Sequence, residues 1–192
     1  MGLPSRAELA EQLIRLIDVR LVDPLDVLLD GHEAVRSART AIGGRAGIWA
    51  HRLLYGTDAE AAGLIARFVA SLYPGDRGFD PPAAWWSTPL GRVVVWRVGH
   101  PGADAVSYAT AGAMLGITRQ GVHDLVQRGK LLRHPDGGVV PDSVRARFMA
   151  TSAIDPVASG STGSTNATVS TSSTVSTSAN GERPSSEGHA HA

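Results

Sequence analysis

One glycine constrains this chain more than any other residue. Gly116 stands between two short segments that each carry helical spacing. A helix ends cheaply where the backbone turns left-handed, and only glycine does so without steric cost. Upstream, Ser107 suits an N-cap, and Ala111, Met114 and Leu115 fill a short helix. Downstream, Thr118 suits a second cap. Val122, Leu125 and Val126 then give the inner face of a helix over Arg119 to Arg128, which Gly129 ends. Ile117 is expected to plug the corner. The spacing predicts helix, tight glycine turn, helix.

The residues that follow extend this pattern. Leu131 and Leu132 begin an extended piece, His134-Pro135-Asp136-Gly137-Gly138 makes a turn, and Val139-Val140 returns. That reads as a small β-hairpin wing. Pro141-Asp142 opens a last helix with Val144 and Phe148 pointing back. The run from about 106 to 149 resembles the winged helix-turn-helix of the excisionase and MerR-type DNA-binding superfamily. Ala111, Leu115-Gly116-Ile117-Thr118-Arg119, Val122, Leu125, Gly129-Lys130-Leu131, Gly137-Gly138 and Val140-Pro141 carry the resemblance. Gly112 stands where that family usually has Ala. No ligand-sensing domain or long dimerisation coil follows.

The resemblance implies that the second helix enters the major groove by its N-terminal half. If Val122, Leu125 and Val126 face in, then Arg119, Gln120, His123 and Gln127 face out. Arg reads guanine bidentately and Gln reads adenine, each for about 1–3 kcal/mol of discrimination. His123 suits a base edge or a phosphate. Thr118 can offer its hydroxyl and N–H to a phosphate at the helix N-terminus. Arg128, Lys130 and Arg133 lie at the far end and the wing base, suited to backbone contacts, with His134 in the turn as a further contact. Asp124 would repel phosphate and is expected to orient Arg128 at i+4. On a helix outside such a motif, these side chains would read as a solvated face. Residues 105–150 hold six basic side chains against three acidic ones, a modest excess for a DNA binder.

The N-terminal part reads as a helical bundle over residues 1–73. Ser5 and Glu8 form a capping box before a helix from about Arg6 to Val22, with Leu9, Leu13, Leu16 and Ile17 on one face. Asp23-Pro24 is expected to restart the chain as N-cap and first helical residue. Leu25, Leu28, Leu29, Val35 and Ile42 then suggest a second helix that Gly43-Gly44 ends, and a third over Arg45 to Tyr55. Thr57 and Glu60 box the start of a fourth, whose apolar face is Leu64, Ile65, Phe68, Val69 and Leu72. Residues 74–87 read as a linker loop closed by Trp85-Trp86. Thr88-Pro89 caps a connecting helix through Val93-Val94-Val95, placed with the helix-turn-helix in a second region, 88–149. Trp85, Trp86 and Trp96 are expected in core or interdomain packing, because apolar neighbours surround them, rather than as a base-stacking platform.

From residue 150 onward the composition changes. Residues 151–192 include 18 Ser or Thr, too little apolar surface to offset ordering entropy, so the segment reads as a disordered tail. Two tail histidines, His189 and His191, are too few for a fixed metal site. The chain has no cysteine, which excludes disulfides, zinc ribbons, iron–sulfur ligation and thiol catalysis. No phosphate-loop or His-Glu-x-x-His pattern occurs, and no catalytic constellation is found, so the chain is not expected to be an enzyme. No cofactor is implied. No apolar run reaches membrane length and no secretory start is present, so a cytoplasmic protein away from membranes is expected, nucleoid-associated if it binds DNA.

The expected fold is thus mainly α: an N-terminal bundle, a winged helix-turn-helix and a tail. The expected function is sequence-specific binding of double-stranded DNA, as a transcription regulator or an excisionase-like recombination factor. A homodimer or a protein partner would use residues 1–73. The alternative is a protein-interaction or assembly adaptor in which the helix-turn-helix is only a scaffold.

Overall fold

The computed structural model describes residues 2–75 and 78–152. The expectation of a disordered tail falls, from Ala153 onward, outside the described residues. The helices are α1 (Arg6–Ile17), α2 (Asp23–Leu28), α3 (Glu33–Tyr55), α4 (Asp58–Leu72), α5 (Pro89–Val98), α6 (Tyr108–Leu115), α7 (Arg119–Gln127) and α8 (Pro141–Ser152). A π-helical turn, Asp18–Val22, joins α1 to α2, and a 3-10 turn, Ala83–Ser87, precedes α5. The protein is mainly helical, and no β-strand forms among the described residues.

Both capping boxes form as expected. Ser5 accepts from the N–H of Glu8, whose carboxylate accepts from the N–H of Ser5, and Thr57 and Glu60 do the same for α4. The Asp23-Pro24 restart does not occur. Asp23 has helical backbone angles, φ −61° and ψ −44°, and the chain stays helical through it. Pro24 offers no N–H for the preceding turn. The wider π turn accommodates this, with the Asp23 N–H bonded to the carbonyl of Asp18. The real break comes later, at Asp30 and Gly31, both with positive φ. His32 then caps α3, its Nδ1 accepting from the N–H of Ala34 at 3.1 Å.

Gly43-Gly44 does not end a helix either: α3 runs unbroken for 23 residues. Each glycine costs about 1 kcal/mol of helix propensity relative to Ala. Burial of Ala46, Ala50, Leu53 and Leu54 outweighs that cost, with α3 packed along α1.

One continuous apolar core runs from Leu9 to Phe148. Its centre is α5, where Leu90, Val93, Val94 and Val95 are all buried and the helix touches α1, α4, α6 and α8. Every residue of α5 is buried or half-buried, as expected of a helix whose only charged residues are Arg92 and Arg97. Trp85 and Trp86 are buried beside it and stack edge to face at 4.9 Å, and Trp96 is half-buried against the core. Arg97 is buried too. Its guanidinium donates to the carbonyls of Leu53 and Leu54, each at 2.8 Å, and to Asp58 at 2.9 Å. It thereby satisfies the open C-terminal carbonyls of α3 and fixes α5 to the α3–α4 corner.

The β-hairpin wing requires correction. Residues 131–140 fold back on themselves, with the N–H of Val140 on the carbonyl of Leu132 and that of His134 on Gly138. Only two isolated bridges result, Arg133–Val139 and Val106–Val139. Gly137 and Gly138 occupy the bend with φ of +98° and +77°. Pro141 then enters α8 and has no N–H with which to extend a ladder.

Candidate nucleic-acid interface

The geometry of the helix-turn-helix follows from paired helix endings. Ser107 accepts from the N–H of Thr110 at 3.0 Å and starts α6. Gly116 ends it in the left-handed conformation, φ 68° and ψ 31°. The Ile117 N–H then bonds the carbonyl of Gly112 at 2.9 Å, and the Gly116 N–H that of Ala113 at 3.3 Å. This double closure satisfies two open carbonyls. The end of α7 repeats it: the Lys130 N–H bonds Leu125 at 2.8 Å and the Gly129 N–H bonds Val126 at 3.0 Å, with Gly129 at φ +64°.

Gly112 gains a meaning here that the sequence did not give it. It is buried in α6, and a Cβ placed on it would lie 2.8 Å from the carbonyl oxygen of Ile117. The missing methyl lets α6 and the start of α7 approach closely. Gly138 is tighter still, since a Cβ there would meet the Val106 carbonyl at 2.3 Å.

Thr118 caps α7 through the Gly121 N–H at 3.1 Å, so its hydroxyl oxygen already serves the helix. Val122 is fully buried, and Leu125 and Val126 pack half-buried against the core. The main packing partner of α7 is α6. The flank beside this buried face is exposed and carries Arg119, His123 and Gln127 at i, i+4 and i+8. These three line one cleft of about 610 Å³ together with Arg133, Gly138 and the start of α6 at Ser107, Tyr108 and Ala109. The ring centroids of Tyr108 and His123 lie 6.3 Å apart. Tyr108, half-buried against the core, lines this cleft and is a residue that sequence reasoning missed. The signal for it was available, because Ser107 as cap places the next residue on the first exposed turn of α6.

The other expected contacts lie outside the cleft. Gln120 is exposed but donates to Asp124 Oδ1 at 3.1 Å. Asp124 therefore holds Gln120, with His123 Nδ1 at 3.8 Å, and does not orient Arg128. Arg128 and Lys130 are exposed at the glycine turn that ends α7. His134 is a turn residue, its Nδ1 accepting from the N–H of Asp136 at 3.2 Å and its side chain only 21% exposed. Ile117 does not plug the corner. It stands 39% exposed at a small pocket lined also by Leu115, Leu125 and Phe148.

Some of the positive charge is engaged internally. Arg145 donates to the carbonyl of Trp96 at 3.0 Å and lies 3.8 Å from Asp58, tying α8 to α5 and α4. Among the described residues, no three His, Asp or Glu side chains gather as metal ligands, and no helix is long and apolar enough to cross a membrane. No family model, no curated protein and no solved structure matches this chain.

Proposed function

We propose that this chain binds double-stranded DNA sequence-specifically, with α7 as the reading helix, as a transcription regulator or an excisionase-like recombination factor. The observation that carries this reading is the stripe Arg119, His123 and Gln127, exposed along the flank of α7 beside its buried face and sharing one cleft with Arg133. An α-helix with its side chains is about 10–12 Å across, the width of the major groove. Arg119 and Gln127 are the base readers, and His123 and Tyr108 line the same cleft. Arg128, Lys130 and Arg133 contact phosphates, as does the start of α6 at Ser107. The folded-back segment 131–140 flanks the reading helix as a turn rather than as a stranded wing.

The three cationic contacts, from Arg128, Lys130 and Arg133, set the expected salt dependence. The slope of log K against log salt should be about −3, at about −0.9 per neutralised phosphate. The test is enrichment of bound duplexes from a randomised library, followed by anisotropy of the selected duplex against its shuffled form across salt concentrations. Selective binding with that slope supports the reading. Equal, weak binding to both duplexes rejects it and favours an adaptor built on the same scaffold.

A further inference from the structure

Helix α2 is the one helix of the described residues that buries nothing. Yet it is apolar: Leu25, Val27, Leu28 and the adjoining Leu29 are all exposed, Val27 at 79% and Leu28 at 76%. Val19 and Leu21 of the π turn extend the patch, and Leu21, Leu25 and Leu28 follow helical spacing. Beyond Val19 the surface continues into a groove floored by Leu16 and Pro89. Single exposed aliphatic residues need no explanation, but six in eleven residues do.

We infer that this surface is where two copies of the chain pair, α2 against α2. Three observations select a second copy. First, these six side chains leave on the order of 500 Å² of apolar surface bare, with Leu25, Leu28 and Leu29 on one side of α2 and Val27 on its flank, at the top of what monomers tolerate and below the roughly 800 Å² per partner of a standard interface. The adjoining groove adds a mostly polar margin, lined by Glu11, Gln12 and Arg15 beside Leu16 and Pro89. Second, the carboxylates of α2 are matched internally. Arg39 donates to Asp23 at 2.9 Å and to Asp26 at 3.1 Å, and Arg36 pairs with Glu33. The helix itself therefore offers no unmatched charge to select an oppositely charged partner, and the adjoining groove carries both signs, Glu11 and Arg15, which two copies related by a two-fold axis bring together. Third, residues 153–192 hold only Ile154, Val157, Val169 and Val175 as large aliphatic residues, scattered among Ser, Thr and Gly. That segment has no apolar stripe with which to cover six side chains.

The pairing is isologous, so one two-fold axis relates the copies and their two α7 helices. A DNA-reading dimer of this kind meets two half-sites, which would double a modest phosphate contact set. The pairing itself does not depend on DNA. The test is sedimentation velocity of the full chain, without DNA, up to about 100 µM, a range in which small interfaces associate. The expected species is about 40 kDa, twice the 20.0 kDa chain. Leu28→Glu should return it to a monomer with its circular dichroism unchanged, because α2 contributes nothing to the core. A wild-type monomer throughout that range, or a Leu28→Glu dimer, overturns the inference. Neither result bears on whether a monomer reads DNA.

Discussion

Two groups of glycines in this molecule look alike in sequence and behave in opposite ways. Gly43, Gly44 and Gly47 lie inside α3, and nothing approaches the place where a Cβ would stand. Gly112, Gly116 and Gly138 lie around the α6–α7 corner, where a Cβ would strike backbone or the chain must turn left-handed. The first group is tolerated by a helix held in place by its buried face. The second group lets separate pieces of backbone touch. A glycine therefore ends an element only where the surrounding chain makes use of the ending. The comparison also separates two kinds of position: near the corner, side-chain size at the glycines is restricted by contact, and at Gly43, Gly44 and Gly47 it meets nothing within 4 Å.

Substitutions with alanine test this contrast directly. The largest effect is expected at Gly138→Ala, which combines a positive φ with a backbone collision at 2.3 Å. It should destabilise the fold by about 3 kcal/mol, measured by urea unfolding. Gly112→Ala keeps an allowed helical backbone but meets Ile117 at 2.8 Å, and should cost about 2 kcal/mol in the same assay. Gly44→Ala should act in the opposite direction, adding up to about 1 kcal/mol, since the methyl meets nothing within 4 Å. If Gly44→Ala destabilises as much as Gly112→Ala, the contrast between the two regions fails.

A smaller effect sharpens the comparison through pH. His100, between α5 and α6, is 8% exposed, and burial pushes its imidazole below the usual value while Asp80 opposes the shift. The unfolded chain then binds the proton more readily than the folded one. Stability is full above about pH 6.5 and declines as the pH falls from there toward the lower folded value. The cap carboxylates Glu8 and Glu60 behave differently. Their Ser5 and Thr57 backbone N–H bonds hold them below the usual 4.5, so their contribution is lost only in more acidic solution. Thermal melts between pH 7.5 and 5.5 should show a decline that His100→Asn removes. A decline that persists in that variant assigns it to another group.

Much of the corner was legible from the sequence because its signals are local. A cap is one side chain bonding its own turn, and a left-handed glycine is one residue's backbone. Ser107, Gly116, Thr118 and Gly129 accordingly sit where the spacing predicts. The helix through Val93-Val94-Val95 was legible for the same reason: Thr88-Pro89 outweighs β propensity that is only a preference for a packed surface. What could not be read depends on distant partners. The passage of α3 through Gly43-Gly44 rests on α1. The exposure of Leu25 and Leu28 depends on what α2 fails to meet, although periodicity marked them as apolar. Asp124 bonds Gln120 rather than Arg128, although both lie four residues away. Glycine turn chemistry at Gly137-Gly138 suggested strands, but Pro141 and the bridge to Val106 left only isolated pairs.

The reading-helix assignment has one most direct test. Duplexes would be enriched from a randomised library by the wild type and by Arg119→Ala, and the selected sequences compared. Arg119 stands exposed at the start of α7 with no internal partner among the described residues, so the substitution should leave the fold intact. The account predicts that one guanine position becomes tolerant of all four bases while the other positions persist. The same sequence selected with undiminished affinity would contradict α7 as the reading helix.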